Sequence, residues 1–229
     1  MKNYSFFSLM FFYSMSIFSQ ENKTAEYKTV LSSLDTDINN VGVWIPDNGT
    51  DKYIKGSVYL FPSWNDQYSL ITKNGDSRKL VNLNYNIETK KLESLITVDS
   101  VFQYDLYQFD YVVQADKKYK VISNSQFNGL FFEVYNGDKI KLFRDVNIIV
   151  EKGIFNPLTQ KKQEDKYGRI YSYYLLTNGN YEKVKLRRNV ILKNVHDKKY
   201  LVKKFVSKNN LSYTSEADVS KILNYYNFL

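Results

Sequence analysis

Two sets of residues carry chemistry that can act on another molecule: a run of cations near the C-terminus and a scatter of carboxylates through the middle. Between residues 187 and 208 stand eight basic residues against Asp197 alone, whereas residues 20–186 are close to neutral. Arg187 and Arg188 open the run, and Lys198, Lys199, Lys203, Lys204 and Lys208 extend it. Lys199 with Lys203, and Lys204 with Lys208, are four residues apart. On a helix that spacing sets like charges side by side, at a cost of roughly 0.2–0.5 kcal/mol per pair. A helix that keeps such pairs suits an anionic partner such as an envelope lipid, a polysaccharide or an acidic protein. The plain alternative is a solvated face in a lysine-rich chain.

The carboxylates allow one kind of catalysis. Hydrolysis of a glycosidic bond needs two acids flanking a sugar, about 5–10 Å apart. Glu133, Asp105 and Asp110 are the acids that fit best, with Asp99 and Glu151 also on or near strand-like sequence. Glu133 stands inside Leu130-Phe131-Phe132-Glu133-Val134, so alternation places it on the face of Phe131, opposite Phe132 and Val134. Trp44, Trp64, Tyr171 and Tyr173 could stack on a sugar or a greasy ligand, although rings in strands also fill cores.

Other chemistries lack their parts. There is no cysteine, which excludes disulfides, thiolate catalysis and a lipid anchor on an N-terminal Cys. His196 is the only histidine, so neither a zinc set nor a Ser–His relay can be assembled in the usual way. Asp35-Thr36-Asp37-Ile38-Asn39 begins like a calcium loop, but its sixth position is Asn40 instead of Gly and its twelfth is Pro46 instead of Glu. No glycine-rich phosphate loop is present. The chain therefore calls for no metal and no cofactor, and it argues for a binding role more than for an enzyme.

The ends of the chain fix its address and its frame. Lys2, the apolar run Phe6–Phe18 and the small Ser19 have the layout of a secretory signal peptide over residues 1–19. The expected protein is exported to the periplasm, cell envelope or exterior, where nucleic acid is seldom met. No later stretch is apolar enough to cross a bilayer as a helix. Residues 20–50 form a lead-in, with Tyr27, Val30, Leu31 and Leu34 at helical spacing. Residues 51–186 read as an antiparallel β domain. Lys55–Phe61 and Arg78–Tyr85 are each expected as single strands. Asn74-Gly75, Asn136-Gly137 and Asn178-Gly179 supply the positive φ angles of tight hairpins. Residues 156–168 read as a polar loop. Residues 187–229 predict two helices: one from Asn189 to about Lys208, and one opened by Ser215 with Asp218 three residues on. The fold class is α+β, mainly β: an antiparallel meander curled into a barrel or two-layer sheet, with two C-terminal helices.

Gly56-Ser57-Val58-Tyr59-Leu60-Phe61, Leu83-Asn84-Tyr85-Asn86, Phe131-Phe132-Glu133-Val134, and Leu211 with Asp218 through Leu223-Asn224-Tyr225-Tyr226-Asn227 give the chain its wider likeness. With the leader ending in Phe18-Ser19-Gln20, it resembles uncharacterised exported β-rich proteins of Bacteroidetes-type bacteria. That resemblance implies an envelope location and no known activity. Three functions are carried forward. The first is an envelope-associated binding or structural module with a basic C-terminal helix. The second is a carbohydrate-binding protein or carboxylate glycoside hydrolase. The third is a barrel-type carrier of a hydrophobic ligand.

Overall fold

Asparagine–glycine pairs turn the chain back on itself, and the strands pair around them as an antiparallel meander. The structure, a computed structural model, describes residues 42–46 (backbone only), 54–97, 100–124 and 127–229. All of these lie in the unit Thr36–Leu229. The expected signal peptide, the helical spacing at Tyr27–Leu34, the Asp35–Asn39 stretch, Asp99 and the side chain of Trp44 lie outside the described residues.

The strands are β1 (Gly42–Pro46), β2 (Ile54–Lys55), β3 (Gln67–Thr72), β4 (Ser77–Val81), β5 (Leu83–Asn86), β6 (Lys91–Thr97), β7 (Ser100–Tyr104) and β8 (Phe109–Gln114). They continue with β9 (Lys117–Ser123), β10 (Asn128–Asn136), β11 (Lys141–Glu151), β12 (Phe155–Asn156), β13 (Lys161–Lys162), β14 (Asp165–Thr177) and β15 (Asn180–Val184). A large sheet runs β15-β14-β11-β10-β9-β8-β3-β4, with β2 alongside β14. A small sheet runs β1-β7-β6-β5, so part of the expected lead-in contributes a strand. The path of the large sheet has two ends, and no barrel closes among the described residues. Helices α1 (Arg188–Asn194), α2 (Lys199–Lys208) and α3 (Glu216–Asn227) follow. A 3-10 turn at His196–Lys198 divides the first helical stretch.

Three local expectations change in the fold. Arg78–Tyr85 is not one strand: Asn82 takes φ +59°, and the chain leaves β4 in the large sheet for β5 in the small one. Lys55–Phe61 is likewise divided. Ile54 and Lys55 pair with β14, Gly56 turns at φ +101°, and Val58–Leu60 lie along β5 through Leu60 N–Tyr85 O and Ile87 N–Val58 O bonds. Gly137 does not need a positive φ. A Cβ there would sit 2.6 Å from Tyr135 Oη and 2.7 Å from Asn227 Oδ1, so space is the reason for glycine. At Asn178-Gly179 the conformational reason does hold, with φ of +51° and +79°.

Strands β10, β11 and β14 are apolar on both faces. Leu142 and Phe143 are adjacent and both buried, as are Tyr174 and Leu175, and neighbours on a strand point to opposite faces. The helices cover the Leu142–Leu175 face, with Ile191, Val195, Val202, Val219, Ile222 and Leu223 in one cluster with those strand residues. Phe143 and Tyr174 cluster on the other face with Ile122 and Phe131. Ser215 Oγ caps α3 by accepting from Asp218 N at 3.4 Å. The Asp218 carboxylate does not return that bond; it accepts from Ser212 N at 3.1 Å and ties down the preceding loop.

Polar anchors join the layers. Asn84 is buried and satisfied, accepting from Phe61 N and Tyr85 N and donating to Phe61 O. Lys90, in the β5–β6 turn, donates to Val146 O at 3.0 Å and Asn147 Oδ1 at 3.1 Å, and lies 3.5 Å from Asp145 Oδ1. Replacing Lys90 with Met leaves these acceptors without their cation in a mostly buried place. We expect a loss of about 2–3 kcal/mol, read from denaturant unfolding of K90M against the parent.

Burial raises the phenol pKa of Tyr85 and Tyr104 above the ordinary 10.0, against the smaller opposing pull of hydrogen bonds from Leu130 N and Ser94. A phenol whose folded pKa is raised contributes stability that is complete below its unfolded value and lost as pH climbs through the folded one. Unfolding free energy should therefore fall above about pH 10. Phenolate absorbance from these two residues should appear only together with loss of circular dichroism.

Candidate anion-binding cleft

The C-terminal helices bury their aliphatic sides and turn their cations outward. In α1, Ile191 and Leu192 go into the core while Arg187, Arg188 and Asn189 stay exposed at its start. In α2, Val202 and Val206 are buried and Phe205 stacks on Tyr225 of α3 at 4.1 Å, leaving Lys199, Lys203, Lys204 and Lys208 in solvent. A cleft of about 1290 Å³ opens between these helices and two hairpin tips. Its cations are Lys139 from the β10–β11 turn, Arg187, Arg188, Lys193, Lys199 and Lys203. Thr177 at the end of β14, Asn178 from the β14–β15 turn, Asn189, Asn194, His196 and Tyr226 complete most of the wall, and Leu192 is the one aliphatic residue in it.

The charge in this cleft is largely uncompensated. Lys193 meets Glu182 at 3.6 Å. Among the described residues, Lys139, Arg187, Arg188, Lys199 and Lys203 make no ion pair. Asp197, the acid closest to them in sequence, is engaged by the Tyr226 hydroxyl, which donates to it at 3.0 Å. Burial, and then this carboxylate, holds the Tyr226 phenol above its ordinary range. The Lys139 ammonium lies 5.5 Å from the centre of the same ring. Such a wall can bind an anion by several charges at once and read hydroxyl groups through its amides.

The sequence-derived cations divide. Arg187, Arg188, Lys199 and Lys203 line the cleft; Lys198 sits half-buried in the 3-10 turn, and Lys204 and Lys208 point elsewhere on α2. Lys139, Thr177 and Asn178 join the site although they lie outside the basic run. The Asn-Gly turns that carry them are visible in sequence, but their approach to the helices is not.

The acids divide as well. Asp105 caps the short turn Leu106–Gln108, accepting from Tyr107 N at 3.1 Å and Gln108 Nε2 at 3.2 Å. Asp110 is ion-paired with Lys120. Glu133 accepts from the Tyr111 hydroxyl at 3.2 Å, and the Lys120 ammonium lies 4.3 Å from the centre of the Tyr111 ring. Asp110 and Glu133 thus share one polar cluster around Tyr111, each already engaged, with Asp105 serving a turn.

The aromatic residues are spread out. Trp64 meets Tyr59 edge-on at 4.7 Å. Tyr171 is half-exposed beneath the Arg144 guanidinium, and Tyr173 packs against the helix cluster. No group of three or more metal-ligating side chains occurs among the described residues. None of the described helices is long and apolar enough to cross a membrane. Compared with family models, curated proteins and solved structures, the chain matches none of them.

Burial raises the Tyr111 phenol pKa most, and Glu133 then adds to it by charge and hydrogen bonding. Replacing Glu133 with Gln removes that charge while keeping an acceptor. The Tyr111 pKa should fall towards the ordinary tyrosine value, as followed by ring-proton NMR titration. Stability at neutral pH should change by less than about 1 kcal/mol.

Proposed function

We propose that the protein is an exported, envelope-associated binding module whose C-terminal cleft takes an anionic glycan. The observation that carries this reading is the set of five cations without ion pairs around one cleft, while acids elsewhere, such as Asp110 and Asp165, sit with their own lysines. The wall favours a polyhydroxylated anion over an acyl chain. Thr177, Asn178, Asn189 and Asn194 offer donors and acceptors beside the charges, and Leu192 is the one aliphatic residue of the wall. Export rests on the leader-like residues 1–19. The glycosidase reading has less support, because Glu133 and Asp110 are tied to Tyr111 and Lys120. The barrel carrier requires a closed barrel, which the described residues do not form.

The test is thermal unfolding with a sulfated or phosphorylated polysaccharide at low and moderate salt. A ligand at a hundred times its Kd stabilises the native state by about 2.7 kcal/mol, and screening should shrink that gain as salt rises. R187Q/K199Q/K203Q should lose the shift, whereas K204Q/K208Q, on the same helix but outside the cleft, should keep it. No shift for the parent protein, or equal loss in both variants, would remove the cleft as the binding site.

A further inference from the structure

The stretch expected to be a polar loop is instead a β-ribbon. Beyond Glu151–Lys166 the paired strands β11 and β14 give way to a small hairpin. In it Phe155 faces Lys162, Asn156 faces Lys161, and Gln163 N donates to Ile154 O at 3.0 Å. The Asn-Gly turns end in Lys73-Asn74-Gly75-Asp76, Gly137-Asp138 and Asn178-Gly179, the polar residues that turns ordinarily carry. This hairpin ends in Pro157-Leu158-Thr159-Gln160, with Leu158 94% exposed, Ile154 73% and Phe155 58%. Three large apolar side chains thus stand in water at one convex tip.

Directly behind the tip lies a collar of charge with a cationic excess. Asp165 is shared by Lys152 at 2.8 Å and Lys162 at 3.0 Å, and Gly153 N also donates to it. The Lys152 ammonium first, then the Gly153 amide and Lys162, hold its carboxyl well below the usual range. Glu151 is taken by Lys166 and Glu164 by Lys55, while Lys161 makes no ion pair among the described residues. Every acid of the collar is therefore engaged, and five lysines stand against three acids.

We infer that this hairpin tip is a membrane-surface anchor that inserts Ile154, Phe155 and Leu158 shallowly into an anionic bilayer. The reading stands independently of the cleft. Gly153 and Ile154 separate Phe155 from Lys152, a span of at most about 10 Å if fully extended, comparable to the roughly 5–10 Å by which interfacial segments enter the headgroup–acyl boundary. Lys55, Lys152 and Lys166 then lie at the level of lipid phosphates, and Lys162, whose backbone faces Phe155, reaches back to the same level by its side chain to Asp165. The tip leaves water at a reduced cost because two of its turn amides are already engaged. Asn156 Oδ1 accepts from Leu158 N at 2.9 Å and Thr159 N at 3.4 Å, and Pro157 has no N–H.

The absence of cysteine allows a single polarity-sensitive label at L158C, with N74C on a polar hairpin tip as reference. The protein is mixed with vesicles of equimolar phosphatidylcholine and phosphatidylglycerol. The label at 158 should shift to a less polar emission and be quenched by brominated acyl chains, while the label at 74 stays water-like. I154S/F155S/L158S, whose changes lie on exposed positions, should keep its unfolding temperature and lose vesicle affinity by about tenfold or more. A label at 158 that remains water-like with vesicles present overturns the anchor. So does a parent protein that self-associates through this tip, with the triple variant monomeric and neither form bringing residue 158 into lipid.

Discussion

Strands β10, β11 and β14 are apolar on both faces, and the arrangement of the other elements follows from that. A strand with one apolar face can lie against a single layer and show its other side to water. Here Leu130 stands beside Phe131, Leu142 beside Phe143 and Tyr174 beside Leu175, all buried. Each face must be covered by something else. The three helices take one end of one face. The β5–β6 turn reaches the strand residues that alternate with Phe143, because Lys90 ends among Asp145, Val146 and Asn147.

Charged groups fix how those layers sit. Arg144 projects from the middle of the large sheet, lies 4.7 Å from the Phe132 ring centre and 5.0 Å from that of Tyr171, and donates to both carboxylate oxygens of Glu216 at 3.0 and 2.9 Å. Apolar packing between helix and sheet tolerates small slides, whereas this contact has a direction and holds the start of α3 to one position. A stacked guanidinium keeps its charge partly screened from water while its planar edge remains available for the carboxylate. The two ends of the pair are both half-buried, so geometry is its main contribution and net stabilisation a smaller one.

The same packing explains where the free cations end up. An amphipathic helix laid on a sheet must turn its polar residues outward, and α1 and α2 have almost no acids to offer in return. The β10–β11 and β14–β15 turns are brought to the edge of these helices by the antiparallel register. Lys139 and Asn178 thereby stand across from Lys199 and Lys203. At the other end of β11 and β14 none of the described helices lies on the ribbon, and there Ile154, Phe155 and Leu158 are exposed. One sheet thus carries a polar, cationic cleft near its helices and an apolar tip on its arm.

The sequence by itself determined the features set by near neighbours. Asn178-Gly179 dictated a hairpin, Ser215 and Asp218 dictated a helix start, alternation placed Glu133 with Phe131, and the clustered charge marked residues 187–208. These depend on backbone angles and on contacts a few residues apart. Tertiary structure decided the rest. Asn82 sends one apparent strand into two sheets because the small sheet offers Leu83 and Tyr85 a buried place that β4 cannot. Arg144 finds Glu216, and Lys90 finds Asp145, across long stretches of chain. Lys139 joins Arg187 and Lys199, while Lys204 and Lys208 are left aside, because the burial of Val202 and Val206 sets the rotation of α2. The polar-looking segment 156–168 becomes a ribbon because β11 and β14 extend their pairing past the body of the sheet. Composition records what each residue prefers. Which partner satisfies that preference depends on burial shared between distant segments, and only the folded chain brings those segments together.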